Sequence, residues 1–387
     1  MSSFHNQKGI AFTLPVFLFL GIAVQTSRAE QIMDSVDALS AAQQSSYGRA
    51  NLGYFADAFT SGQKALQMAE NRYGPTHPSV VPYLNGLGTI DRCMARYADA
   101  ESKFKWGLAI REKTLGPNDP RIAESLDQLA ALYQDWGKFD EAKFNEKKAL
   151  AILEPMGKPS EALCQTLNHL GDIQLGLREA SEAQTALKRS HELEEKDPKI
   201  SVSLRIETLG LLARASMADQ QLKEAETCLK RGLELAKQNF KEENVELGDA
   251  HRILADFYQS QGESAKAQPL YQSALKIYQH FVGINYTYQA FPYLARAAAA
   301  YQATGDFASS KNLGEKIVTG IKDVYGPTHP GTAVALLNLA KAEESLNEKP
   351  KALSHIKESL KILQSNYEKD HPLVKAAEKR LKELSGN

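Results

Sequence analysis

One small residue returns along this chain at a nearly constant interval, and this recurrence constrains the fold more than any other feature. Residues 126–159 read as two amphipathic segments joined by a short turn at Gly137. Near-copies of this unit place a small residue every 41 to 43 positions, at Ala58, Ala100, Ala142, Ala183, Ala225, Ala267, Ser310 and Ala352. Such a period is typical of helical-repeat arrays, which grow by stacking similar helix pairs. The sequence therefore predicts an all-α fold that offers a binding surface rather than an active site.

Further small residues keep register with these anchors. The first segment of a unit carries Leu-x-x-Leu followed by Gly or Ala, as at residues 84–88, 126–130 and 167–171, and the anchor follows twelve residues later. Aromatic residues stand three positions before four of the anchors, at Phe55, Tyr97, Phe139 and Phe307. Two helices approach closely only where no large side chain separates them. The spacing therefore predicts helix pairs that touch at the small residues, with the aromatic rings filling the space beside each turn.

A Gly-Pro linker separates several of the units. It reads YGPTHP at residues 73–78 and 325–330, LGPNDP at 115–120, and is shortened to DHP at 370–372. Proline suits the first turn of a helix because its missing N–H would have no partner there. We expect His77, His329 and His371 to close these linkers before the proline. They cannot form one metal site, because His77 and His329 lie six repeats apart.

These features together resemble the tetratricopeptide repeat, in the 42-residue subtype typical of kinesin light chains. The resemblance rests on the Gly/Ala, Tyr/Phe, Ala and Ala/Gly/Ser positions and on the linker, and it covers residues 35–384. It implies a right-handed α-solenoid of about eight helix pairs with a C-terminal capping helix. No heptad-repeat coiled coil precedes the array, so the resemblance does not imply the role of a motor cargo adaptor.

The domain organisation follows from the repeat and from a distinct N-terminus. We expect a secretory signal at 1–29 and a solenoid at 30–387. The repeats are assigned approximately to 35–77, 78–119, 120–159, 160–198, 199–245, 246–288, 289–329 and 330–370, with the cap at 371–385. In the cap, Leu373, Ala376 and Leu381 are expected to form the apolar stripe.

The N-terminus has the parts of an export signal. Lys8 precedes an apolar run from Ile10 to Val24, and small residues lead up to Ala29. A cationic start, an apolar segment of this length and a small-residue end are typical of a secretory signal. Cleavage near Ala29 is expected, with an uncleaved anchor as the alternative. Since no second apolar segment follows, the mature chain is expected to be exported, to the periplasm or outside the cell, without an integral membrane span.

The resemblance also names candidate partner-binding residues. In the family, the first helices line the concave side, and residues flanking the small Gly/Ala point into it. On this chain these are Asn85, Thr89, Arg92, Asp127, Gln134, Asn168, Asp172, Arg214, Arg252, Asp256, Gln259, Asn338 and Lys341. Asn side chains can pair with both the N–H and the C=O of an extended peptide. The mixture of Arg, Lys and Asp argues against a uniformly acidic or basic ligand, and for each residue an ordinary solvated helix face remains the alternative.

No constellation of residues indicates catalysis. There is no phosphate-binding glycine loop, His-Glu-x-x-His, Cys-x-x-Cys or nucleophile elbow, so no enzyme activity, cofactor or metal is expected. Cys93, Cys164 and Cys228 are expected to be packing residues. With 46 Lys+Arg against 47 Asp+Glu, no basic excess points to nucleic acid.

The expected function is therefore non-catalytic binding of a protein or peptide partner in the concave groove. Two alternatives stay open: a structural, self-assembling component of an envelope complex, and, more remotely, an enzyme on a helical scaffold.

An aromatic group near the irregular seventh repeat is open to two interpretations, as a core that fills the junction or as a pocket for a partner. It comprises Tyr271, Tyr278, Phe281, Tyr286, Tyr288, Phe291, Tyr293 and Tyr301.

Overall fold

The computed structural model describes residues 39–46, 54–241, 244–282 and 291–386. Within these ranges the secondary structure is helical, without strands. Residues 39–46 are helical (α1). The helices that follow are α2 Phe55–Tyr73, α3 Val81–Cys93, α4 Tyr97–Thr114, α5 Pro120–Asp135, α6 Phe139–Leu153, α7 Glu161–Gly176, α8 Ala180–Lys196, α9 Val202–Ala218, α10 Leu222–Asn239, α11 Val245–Ser260, α12 Ser264–Val282, α13 Phe291–Thr304, α14 Phe307–Tyr325, α15 Pro330–Ser345, α16 Lys349–Asn366 and α17 Pro372–Ser385. The expected signal at 1–29 lies outside the described residues.

The chain consists of two compact units, Met1–Leu132 and Tyr133–Asn387, and the boundary falls within α5. In the first unit, α3 packs against both α2 and α4. In the second unit, each helix from α6 to α17 packs against the next one along the chain. Each unit is therefore a stack of helices in sequence order, and the predicted all-α solenoid is confirmed.

The anchor residues lie where the helices are closest. The seven anchor alanines are 0% exposed and Ser310 is 5% exposed. Two glycines of the first helices, Gly88 and Gly171, are equally confined. A Cβ atom on Gly88 would lie 2.7 Å from Cε1 of Phe104, and one on Gly171 would lie 2.6 Å from Cγ of Leu187. The recurrence of small residues is thus explained by helix contact, as the sequence predicts.

In the seven helix pairs from α3 and α4 to α15 and α16, the two helices are joined by a turn with one left-handed residue, which lies five positions before the anchor. The φ angles at this place are 56° to 85°, at Ala95, Gly137, Arg178, Gln220, Gly262, Gly305 and Asn347. The turn expected at Gly137 is therefore present. Four of the seven positions carry a side chain, so the backbone of this turn does not demand glycine.

The linker histidines cap the helices that follow them. Nδ1 of His77 accepts from the backbone N–H of Ser79 at 3.2 Å, and Nδ1 of His329 accepts from that of Gly331 at 3.0 Å. Each ring also stacks on the tyrosine four residues before it, which is Tyr73 for His77. A free N–H at a helix N-terminus needs such an acceptor. The expectation that these histidines close the linkers is confirmed.

The C-terminal helix buries a different stripe from the one expected. Val374 and Ala377 are fully buried, whereas Ala376 is exposed, so the expected place of Ala376 on the apolar stripe is wrong. Leu381 is half-buried against the cluster around Ala340 and Ile356, as expected of a capping helix. Val374 and Ala377 share a core cluster with Ile362 and Leu363 of α16, which explains why the buried stripe lies one residue further along α17.

Candidate functional site

The first helices of the repeats form the inner side of the curve in the second unit. Direct contacts join α7 to α9 and α9 to α11. Among the described residues, no comparable contact joins the second helices α8 and α10, or α10 and α12. In a stack of helix pairs, the helices that approach each other most closely lie on the inside of the bend. We call this side, formed by α7, α9, α11, α13 and α15 with the end of α5, the inner face.

A row of polar side chains crosses three first helices on the inner face. Nε2 of Gln134 donates to Oδ2 of Asp172 at 2.7 Å, and Nη1 of Arg214 lies 2.7 Å from Oδ1 of the same carboxylate. Both Asp172 and Arg214 directly follow the small residue of their helix, 42 positions apart. The Arg214 side chain is 57% exposed, so the ion pair is open to solvent and to a partner. The structure therefore brings together three of the candidate residues.

A second group lies on α11. Nη1 of Arg252 pairs with Oδ2 of Asp256 one turn further along, and the other oxygen of Asp256 accepts from the Tyr271 hydroxyl at 2.8 Å. Burial and the Asp256 hydrogen bond raise the pKa of Tyr271, so its hydroxyl stays protonated and donates. Gln259, the third candidate on this helix, is exposed.

On α15 the candidates Asn338 and Lys341 are exposed and lie one helical turn apart. Val334, four residues before Asn338, is 36% exposed and lies on the same stripe. The carbonyl of Lys341 accepts from Nε2 of Gln302 on α13. This part of the inner face therefore offers an amide, an ammonium group and a methyl surface to solvent.

Asn168 does not point into a groove, which corrects the expectation for this residue. It is fully buried between α7 and α9, where its Nδ2 donates to Oγ1 of Thr208 at 2.8 Å. The Thr208 hydroxyl also contacts the carboxylate of Glu194, which is fully buried as well. Asn168 is therefore part of an internal polar network, and a partner cannot reach its side chain without unpacking the two helices.

The candidates in the first unit are half-buried rather than freely exposed. Asn85, Thr89 and Arg92 lie on α3, and Asp127 lies on α5. Oδ1 of Asn85 is buried without a hydrogen-bond partner and lies 3.1 Å from the place of a Cβ on Gly107. A buried carbonyl oxygen without a donor costs free energy.

Sequence reasoning missed two contributors to the inner face. Nε of Arg296 on α13 lies 2.8 Å from Oδ1 of Asp249 on α11, and the same oxygen accepts from the Tyr278 hydroxyl at 2.7 Å. Gln302 donates to Oγ of Ser345 at 2.8 Å. The signal for Arg296 was present, since it stands 42 residues before Asn338.

The aromatic group is a core in the part of the chain that the structure describes. Tyr271 and Tyr278 are 2% and 0% exposed, and Phe291 is buried in the same cluster. Tyr286 and Tyr288 lie outside the described residues, so the alternative of a pocket stays a prediction.

The cysteines are packing residues. Cys93 and Cys164 are buried and Cys228 is half-buried, all three as free thiols. Burial raises the pKa of Cys164 to about 11. A thiol with so high a pKa is not a nucleophile at neutral pH.

Comparison with known proteins identifies the repeats. A family model described as tetratricopeptide repeat matches residues 49–113, 108–154, 204–280 and 289–365, which is more than half of the chain. No curated protein sequence matches. Among the described residues, no helix combines the length and the apolar character that crossing a membrane requires.

Several solved structures are similar at low identity. The TPR-like repeats of a putative kinesin light chain from Podosopora anserina are 20% identical, with a TM-score of 0.40, over 53% of this chain and 97% of that one. BtubC (BKLC) from P. vanneervenii is 18% identical, with a TM-score of 0.48, over 67% and 94%. A Rap protein complexed with competence and sporulation factor is 11% identical, with a TM-score of 0.49, over 90% and 98%.

Proposed function

Because the chain belongs to the tetratricopeptide repeat family, we propose that it is a non-catalytic scaffold whose inner face binds a peptide or protein segment. The observation that carries the proposal is the polar surface of the first helices. Gln134, Asp172 and Arg214 form a continuous row across three of them, and Asn338 and Lys341 are exposed on a fourth. Amide and charged groups in such a row suit the main chain and the polar side chains of an extended ligand.

The charges indicate which part of the inner face selects the partner. Asp172 and Arg214 neutralise each other, and so do Arg252 and Asp256. These pairs offer hydrogen-bonding groups to a partner without favouring either sign of charge. The ammonium group of Lys341 is exposed beside Asn338 and Val334. The preferred segment would therefore place an acidic side chain at Lys341 and an apolar one at Val334.

The test uses peptides selected from a random library on the purified chain. Replacing Asn338→Ala together with Lys341→Ala should weaken their binding by about tenfold or more. The matched control is Ser354→Ala with Lys357→Ala, which removes a polar and a lysine side chain at the same spacing from the exposed side of α16. Equal affinities for the two double variants would place binding away from the inner face.

The self-assembly alternative predicts a different dependence of the molecular mass on protein concentration. A scaffold with a free inner face stays at one mass over a wide concentration range, whereas an assembling component grows with concentration. Mass measurement by light scattering therefore separates the two.

We also propose that the protein acts outside the cytoplasm. The run from Ile10 to Val24 between Lys8 and Ala29 supports this, since it has the length and flanks of an export signal. Sequencing the N-terminus of the protein from its native source tests it, with a mature chain that starts near residue 30 as the expected result.

A further inference from the structure

The turn between α5 and α6 contacts the linker before α17, although the two are far apart in the sequence. Gly137 occupies the left-handed position of this turn, with φ 78°. A Cβ atom at Gly137 would overlap Cδ2 of His371 and lie 2.7 Å from its Nε2. The imidazole of His371 therefore packs directly on the backbone of Gly137, and both residues belong to the second unit.

This contact is specific to one turn. Gly262 and Gly305 occupy the same position in two other turns, with φ 76° and 85°, and a Cβ on either would meet nothing within 4 Å. The backbone conformation is shared, so it does not explain the glycine at 137. Asn347 has φ 63° at the equivalent place, which shows that this turn accepts asparagine. What distinguishes Gly137 is the ring that lies against it.

The His371 ring is held in place from its own side. It stacks on Tyr367 with ring centres 3.8 Å apart and planes 8° apart, and its Nδ1 accepts from the N–H of Leu373. Burial lowers the pKa of His371, which keeps the ring neutral and able to accept. Nε of Arg380 lies 3.0 Å from Oε1 of Glu344, which fixes α17 to α15. The His371 ring is therefore held in one position by its own neighbours.

The contact joins the end of the second unit to its beginning. Each helix from α6 to α17 packs on the next, and the linker at the far end returns to the turn before α6. We propose that the contact between His371 and Gly137 is a latch that joins the two ends of the second unit and fixes its curvature in the free protein. The latch rests on this geometry alone. Its value for binding rests on the proposed function, because a fixed curvature preorganises the inner face for a partner.

The experiment places a side chain between the Gly137 backbone and the His371 ring. Gly137→Asn in the full chain suits the backbone but collides with the ring, and Gly305→Asn is the matched control with open space. We expect Gly137→Asn to increase the radius of gyration measured by small-angle X-ray scattering. We also expect amide hydrogen exchange of residues 367–375 to become faster by about tenfold. Gly305→Asn should leave both quantities unchanged.

A second variant tests the latch by changing His371 instead of Gly137. His371→Asn removes the ring but keeps a helix-capping acceptor, as Asn244 does for α11. It should speed the exchange of residues 134–139, whereas His329→Asn in the equivalent linker should not. Unchanged exchange across the contact in both Gly137→Asn and His371→Asn would overturn the latch. If the wild-type chain, whose latch is intact, binds none of the selected peptides at its inner face, that result would instead count against the proposed function.

Discussion

Nδ1 of His355 lies 2.8 Å from Oε2 of Glu343, a carboxylate that is 1% exposed. The pair reproduces an earlier one, in which Nζ of Lys103 lies 2.7 Å from the buried carboxylate of Asp91. In both repeats the acid stands three residues after the small residue of the first helix, and the base stands three residues after the anchor. The repeat thus keeps a buried acid beside a base at one place while the residue types change.

Replacing the base of this pair should destabilise the protein. In His355→Leu the Glu343 carboxylate loses its nearest donor, which should lower the free energy of unfolding by about 1–3 kcal/mol. His355→Lys restores the arrangement of Asp91 and Lys103, and should unfold at a urea concentration close to that of the wild type. Lys357→Leu, on the exposed side of the same helix, is the control and should change the stability by less than about 0.5 kcal/mol. A His355→Leu protein as stable as this control would contradict the role of the pair.

The buried position of Asn168 makes another prediction about stability. Asn168→Ala removes the amide that donates to the buried Thr208 hydroxyl, so the free energy of unfolding should fall by about 1–3 kcal/mol. Asn338→Ala removes the same side chain from an exposed position and should be close to neutral. Thermal unfolding of the two variants checks this, and equal melting temperatures would show that the polar network contributes nothing.

Two glycines should respond in opposite ways to alanine. A methyl group on Gly171 would collide with Leu187, whereas Gly210 on α9 has nothing within 4 Å of the place of its Cβ. Alanine is favoured over glycine inside a helix by about 1 kcal/mol. Gly210→Ala should therefore raise the free energy of unfolding, and Gly171→Ala should lower it. If both variants gain stability, the helices at Gly171 are less tightly packed than described.

His191 should make stability depend on pH. The carboxylate of the buried residue Glu194, 3.7 Å from Nδ1 of His191, raises the pKa of His191. Glu195 acts in the same direction, while burial and Arg205 oppose it. A histidine whose pKa is raised by folding contributes its full stabilisation below the unfolded pKa of about 6.5. That contribution is lost as the pH rises through the folded pKa.

The measurement is urea unfolding of the wild type and His191→Gln at several pH values from 5 to 9. The stability advantage of the wild type should be largest at the acid end and should shrink as the pH rises. An advantage that is constant with pH, or that grows with it, would contradict the interaction with Glu194.

Much of the fold could be predicted because its determinants are local. The anchors, the turn five residues before each of them and the proline at the start of several helices each follow from neighbouring residues. Gly137 illustrates the limit of this reasoning. Its role as a turn residue is readable from the sequence, but its contact with His371 depends on the summed rotation of all the repeats between them.

The candidate site was predicted less well, for a related reason. A side chain on a first helix lies either on the inner face or against the next repeat. Which of the two it does depends on the residue that the neighbouring helix places opposite it. At Asn168 the neighbouring helix presents Thr208, so the amide turns inward and is buried. At Asp172, one turn later, the neighbour presents Arg214, and the carboxylate remains on the inner face. A single helix pattern cannot distinguish these two cases.

The central claim is that a partner lies along the inner face of the first helices. Amide hydrogen exchange of the protein with and without a peptide selected on it tests this most directly. We predict slower exchange in α9, α11 and α15, with α10 and α16 unchanged. Protection confined to the second helices, or none at saturating peptide, would contradict the account.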